Sequence, residues 1–228
     1  MRASAAETAG VITGICFHGI GKPPTGLEPG WHEYFVSAEL LLAVLDEAAV
    51  RPGISLTFDD GNASDVEVAL PALRERGLTA TFFPVAGKLG QPGYLDAAGV
   101  RALSAAGMRV GSHGMWHRSW RDLDTQTERE ELAVARSLIG SAAQAPVRAA
   151  ACPFGSYDRR VLGALRRHRY EQVFTSDRRR ARTGAWLQPR YSILRSDTLN
   201  SIRENILAPR PLAERVRCAA AARVKAWR

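Results

Sequence analysis

Residues 54–61 read Ile-Ser-Leu-Thr-Phe-Asp-Asp-Gly, an apolar, β-branched and aromatic run that stops in two adjacent carboxylates and a glycine. A short run of that kind closed by a turn signal is a strand, and the two acids then stand at its carboxyl end. Runs of the same type recur at residues 11–17, 79–85, 108–111, 148–152 and 172–175. Between them, residues 65–76, 96–106, 125–139 and 158–167 carry helical spacing, several opening on Asp or Thr as caps. Strand and helix in alternation give parallel βα units. Ligand sites in such folds lie outside the carboxyl ends of the strands, so Asp59 and Asp60 fall on the face where chemistry is expected. Read alone, Asp-Asp-Gly is also simply a turn with a helix cap.

Two further segments change that balance. Ser112-His113-Gly114-Met115-Trp116-His117 follows a short strand, and imidazoles four residues apart face one side of a helical turn, where they can grip one metal. With one of the carboxylates they make a two-histidine, one-carboxylate set that leaves positions open for water and substrate. The second carboxylate is free to act as a base, and spacing does not decide which aspartate takes which part. A bound cation brings the pKa of its water towards about 7 and polarises a carbonyl oxygen, the two needs of amide hydrolysis. Residues 151–158, Ala-Cys-Pro-Phe-Gly-Ser-Tyr-Asp, follow another strand, with Pro153 and Gly155 fixing a tight loop and Phe154 offering an apolar wall. The loops at 19–30 and 178–184 are expected to rim the same face.

Taken in order, Thr57-Phe58-Asp59-Asp60-Gly61, Ser112-His113 with His117, and Pro153-Phe154-Gly155 with Tyr157-Asp158 resemble the polysaccharide deacetylase family, also called carbohydrate esterase family four, over residues 11–193. The resemblance implies an α/β fold, a distorted (β/α) barrel of about seven parallel strands. It assigns Asp59 as catalytic base and Asp60, His113 and His117 as metal ligands. The metal is Zn2+ first, with Co2+, Ni2+, Fe2+ and Mn2+ as alternatives, and the reaction is removal of the acetyl group from an N-acetylated carbohydrate. The substrate side, including backbone that helps hold the oxyanion, falls to the loop of Phe154, Gly155 and Tyr157. Trp116 and Trp120 could stack on a sugar face, although their helical spacing favours core packing.

The sequence departs from the family pattern twice. Ala151 stands where an arginine often opens the third motif and braces the base, and Arg190 is the candidate replacement, grouped here with the substrate-side residues. The late leucine-histidine motif that usually supplies the general acid is missing, because the last histidine is His168. His18, at the end of the first strand, resembles the strand-one histidine of some members and is the candidate acid or substrate contact. These departures keep open a catalytically weak carbohydrate-binding homologue, and the metal set alone also suits an aminosugar deformylase or a linear amidase.

With 228 residues, 46% hydrophobic and 24% charged, the chain has ordinary globular composition. It is expected to form one catalytic domain over residues 11–208, after a flexible segment 1–10 and before a basic helix or tail at 209–228. Three cysteines, Cys16, Cys152 and Cys218, without C-x-x-C spacing argue against a disulfide framework or a cysteine-rich zinc site. No apolar run reaches the roughly 20 residues of a membrane helix, and residues 1–10 lack the order of a signal peptide, so a cytoplasmic address is expected. The net charge of +8 is uneven: residues 159–228 carry 18 Arg and Lys against 5 Asp and Glu, and the preceding part 13 against 18. That tail is a candidate for peripheral contact with a membrane or other anionic surface. The absence of an aromatic-interleaved or recognition-helix motif argues against nucleic acid.

Overall fold

The computed structural model describes residues 10–24, 30–208 and 212–227; residues 1–9, most of the expected flexible segment, lie outside the described residues. Four runs become strands buried on both faces, as parallel strands are: β1 (Val11–Phe17), β4 (Ile54–Asp60), β5 (Ala80–Pro84) and β8 (Gln172–Thr175). Two shorter ones, β6 (Arg109–Val110) and β7 (Ala149–Ala151), and a strand late in the chain, β10 (Leu187–Ser192), complete the set. These seven pair in parallel in the order β6-β5-β4-β1-β10-β8-β7.

The two outer strands then nearly meet. Ser112 bridges Ala150 in parallel, donating its amide to the Ala149 carbonyl at 2.9 Å and accepting from the Ala151 amide at 3.0 Å. Gly111 permits the approach, since a Cβ there would stand 2.3 Å from the Phe83 ring and 2.9 Å from the Ala149 carbonyl. The result is a nearly closed barrel of seven parallel strands. Phe17, Phe58 and Phe82 stack side by side across β1, β4 and β5, with centroids 5.4 and 4.7 Å apart.

Helices cover the outside. Asp96 caps α3 (Ala97–Ala105), accepting from the Gly99 amide at 2.7 Å, and Asp158 caps α6 (Arg159–Arg167), accepting from Val161 at 2.9 Å. The expected helix at 125–139 is α4 (Thr125–Arg129), a π turn (Glu130–Val134) and α5 (Ala135–Ala143), capped by Asp124 rather than Thr125. The expected helix at 65–76 likewise opens as a π turn (Asp65–Ala69) before α2 (Leu70–Glu75). A further 13-residue helix, α1 (Ala38–Val50), capped by Ser37, lies outside the helical segments expected above.

Two loop expectations are corrected. Gly19–Ile20 (β2) pairs with Phe35–Val36 (β3), so the 19–30 loop begins as a small sheet at the barrel mouth. Segment 178–184 does not rim that mouth along its length: Ala181 and Arg182 (β9) pair antiparallel with Ile12 and Val11, at the opposite end of β1. Near the C-terminus α7 (Leu199–Ile202) precedes α8 (Leu212–Trp227). Ala222 of α8 is buried, while Val216 is 60%, Val224 53% and Trp227 79% exposed. No helix of the described residues is long and apolar enough to cross a membrane.

Candidate metal centre and active site

The three motifs converge because each follows the carboxyl end of a strand at the same mouth of the barrel. Asp59 and Asp60 would point to opposite faces if β4 continued. Instead Asp60 (φ 74) and Gly61 (φ 71) are left-handed, the chain turns, and both carboxylates come to the same imidazole: His113 Nε2 lies 3.8 Å from Asp59 Oδ2 and 3.6 Å from Asp60 Oδ1. His117 Nε2 is 3.4 Å from the same Asp60 oxygen.

The histidine pair does not sit on a helical turn, as the spacing implied. Gly114 (φ 83) and His117 (φ 53) are both left-handed, in a loop. What replaces the helix's own hydrogen bonds is Glu131, fully buried in the π turn. Its carboxylate accepts from the amides of Met115 at 2.8 Å and Trp116 at 3.2 Å, and from the Trp120 indole at 3.3 Å. Trp120 is core at 3% exposure, whereas Trp116 is 48% exposed. Glu131 carried no sequence signal, because its partners are backbone groups of a distant loop. Glu131→Ala is expected to lower the affinity of the site for Zn2+ by about 10- to 100-fold, as removal of ligand-supporting groups does. Competition with a chromogenic chelator measures this, and unchanged affinity would remove Glu131 from the site's support.

The donor set suits a cation. His113 Nδ1 lies 2.8 Å from the Ala151 carbonyl, an acceptor, so that nitrogen carries the proton and Nε2 presents its lone pair. Burial, with the charge of Lys88, pushes His117 down to about 2, leaving it neutral, as a ligand must be. Asp60 Oδ1 is buried without a hydrogen-bond partner, and burial pushes its carboxyl up to about 6. The ligand atoms of Asp60, His113 and His117 lie within 4.8 Å of one another. Donors about 2.1 Å from a tetrahedral ion stand roughly 3.4 Å apart, close to the 3.4 and 3.6 Å separations found between Asp60 and the two imidazoles.

Cys16, His18 and Asp59 form a second compact group, but Asp59 is already taken. Arg190 Nη1 and Nη2 donate to its two oxygens at 2.7 and 2.8 Å, with Thr57 Oγ1 accepting from Nη1 at 2.9 Å. A fixed guanidinium there opposes a cation. Burial alone would raise the Asp59 carboxyl, but Arg190 holds it well below the usual carboxylate range. Arg190 is fully buried beneath Asp59, so it meets the carboxylate rather than the open cavity.

That cavity, about 400 Å³, is bounded by Asp59, His113 and His117 and walled by His18, Trp31, Tyr34, Phe154 and Gly155. Trp31 and Tyr34 come from a 3-10 turn (Trp31–Tyr34) and went unread in the sequence, where a Trp in a Gly-rich loop offers no periodicity to interpret. His18 packs on Tyr34 at 4.7 Å, its Nδ1 buried without a partner, and burial pushes it down to about 4. Of the loop residues expected on the substrate side, Phe154 and Gly155 line the cavity. The Tyr157 side chain does not: it is 1% exposed beneath the loop, its hydroxyl donating to Asp177 Oδ2 at 2.7 Å. A larger cavity of about 540 Å³ opens where β6, β7 and β8 begin, beside Arg109, Arg148 and Gln172, away from the three motifs.

A family model described as polysaccharide deacetylase matches residues 46–173. YxkH of Bacillus subtilis, assigned to the polysaccharide deacetylases, is 23% identical over 137 residues, 60% of this chain and 49% of that protein. The chain thus spans about half the length of the curated relative it matches. A Bacillus anthracis protein of the same assignment superposes with a TM-score of 0.77 at 18% identity, over 87% of this chain and 69% of the other. Deacetylase PplD of Streptococcus pyogenes, solved with acetate, gives 0.75 at 18% identity, over 89% and 100%. At these identities the structural likenesses establish the fold.

Proposed function

The chain belongs to the polysaccharide deacetylase family, and from that premise we propose that it removes the acetyl group of an N-acetylated sugar, with Asp60, His113 and His117 holding a divalent cation. Zn2+ is the first candidate, followed by Co2+, Ni2+, Fe2+ and Mn2+. The observation that carries the reading is the partnerless Asp60 oxygen between two neutral-capable imidazoles, beside a second carboxylate that an arginine keeps ionised. When bound, the cation acidifies water and polarises the acetyl carbonyl.

The side chains have distinct parts in this reading. Asp59, which Arg190 keeps ionised in the resting site, takes a proton from the attacking water as the water oxygen bonds to the acetyl carbon. The carbon–nitrogen bond then breaks, and the nitrogen receives the proton that Asp59 took from water, giving acetate and a free amine; His18, held neutral by burial, is left as a substrate contact. Of the loop amides, Gly155 donates to the Cys152 carbonyl at 2.9 Å and Ser156 to Pro153 at 3.0 Å. Trp31, Tyr34 and Phe154 offer apolar faces for the sugar ring.

Metal-loaded protein is expected to release acetate from at least one member of a panel of N-acetylated sugars. Chelation should lower release at least about a hundredfold, with Zn2+ or Co2+ restoring it. Bound metal with no release from any sugar would overturn the proposal in favour of another carbon–nitrogen hydrolysis or a binding role.

A further inference from the structure

The turn that walls the cavity is strained. Phe154 has φ 58 and ψ 11, and Gly155 follows at φ 58. A left-handed non-glycine residue is sterically disfavoured and persists only where surrounding contacts over-determine it. Gly155 has no alternative, since a Cβ there would lie 2.8 Å from Ser176 Cβ. The ring that this turn presents, Phe154, is 62% exposed and meets His117 edge-on at 4.6 Å.

One of the contacts that hold the turn comes from far along the chain. Lys225 of α8 donates from Nζ to the Gly155 carbonyl and to Asp177 Oδ1 at 2.9 Å, with its ammonium 4.3 Å from the Tyr157 ring centroid. Asp177 Oδ2 in turn accepts from the Tyr157 hydroxyl at 2.7 Å and from Thr175 Oγ1 at 2.8 Å. Two residues that flank the turn in space, Asp177 after β8 and Tyr157 after the loop, are thus tied to it by one cation. The side chain of Asp177 is 8% and that of Lys225 36% exposed, so the pair is partly shielded from solvent.

We infer that Lys225 is a positioning residue: the C-terminal helix α8 is part of the active-site scaffold, and its lysine fixes the Phe154–Gly155 turn against the metal-binding histidines. The inference relies on the deacetylase reading only for its activity arm. Small displacements of positioning groups cost up to about a hundredfold in rate, and a single lost anchor at the turn's carbonyl should cost about tenfold.

Lys225→Met keeps the aliphatic stem and removes the cation, and Lys225→Arg restores a donor. Hydrogen–deuterium exchange by mass spectrometry should show faster exchange in peptides covering residues 152–157 of Lys225→Met. Peptides covering 111–120 should be unchanged, and Lys225→Arg should return to the parental pattern. On whichever N-acetylated sugar is turned over, Lys225→Met should lower kcat about tenfold with KM and Zn2+ affinity within about twofold. Unchanged exchange at 152–157 in a folded Lys225→Met protein would overturn the inference whatever the enzyme's substrate. Faster exchange with unchanged kcat would overturn the positioning role while leaving the clamp. Should Lys225→Met fail to fold, Asp177→Asn, which keeps the side-chain shape and one acceptor and removes the charge that faces Lys225, is read by the same two measurements.

Discussion

Asp59→Asn is expected to reduce acetate release by about 10²- to 10⁴-fold, the contribution typical of a positioned base, while leaving Zn2+ affinity close to that of the parent protein. The division follows from geometry. The atoms that fit a cation belong to Asp60, His113 and His117, whereas both oxygens of Asp59 are held by Arg190. Asparagine preserves the shape and one acceptor, so the Arg190 guanidinium keeps part of its hydrogen bonding. Acetate assay and metal titration on the same preparation check both halves. Activity within about tenfold of the parent would remove Asp59 from the role of base. Loss of metal binding in parallel with activity would move it into the ligand set.

Arg190→Met should be the most destabilising of these substitutions, by at least about 3 kcal/mol, because it strands a buried carboxylate without its partner. The side chains of Arg190 and Asp59 are 1% and 4% exposed, so solvent cannot replace the guanidinium. The double variant with Asp59→Asn should recover part of the loss, since a neutral amide no longer demands a counter-charge.

The same pair fixes a pH signature for the metal-free protein. In the parent, Arg190 holds the Asp59 carboxyl below its ordinary value against the upward push of burial. Its contribution to stability is therefore present above the unfolded pKa of about 4 and is lost as pH falls through the depressed folded value. Without the guanidinium, burial alone raises the carboxyl above its unfolded value. Asp59 then destabilises the variant at neutral pH, and protonation on acidification relieves the penalty. The gap in melting temperature between parent and Arg190→Met is expected to be widest near pH 7 and to narrow towards pH 4 (thermal melts in chelator). A gap independent of pH would mean that Arg190 acts through packing rather than charge.

The sequence by itself determined the alternation of strands and helices and the two motifs that meet at the mouth. Runs such as residues 11–17 and 172–175 coincide with β1 and β8, because a strand buried on both faces must be apolar along its length. Asp59, Asp60, His113 and His117 were legible as a metal-competent set because ligand chemistry restricts the residue types, and a βα fold restricts where they can stand.

Tertiary structure alone decided how those residues are held. Arg190 reaches Asp59 across 131 positions of sequence, a pairing that local periodicity cannot encode. The Ser112 bridge that nearly closes the barrel, Glu131 beneath the histidine loop, the Trp31 and Tyr34 wall and the Lys225 anchor are of the same kind. The tail read from charge alone as a surface-seeking segment contributes one of its cations to the loop of the third motif. Secondary structure follows from interactions within a few residues, which composition and spacing record. Brace, wall and clamp are Coulomb and packing contacts that exist only once the barrel brings distant segments within about 4 Å of each other.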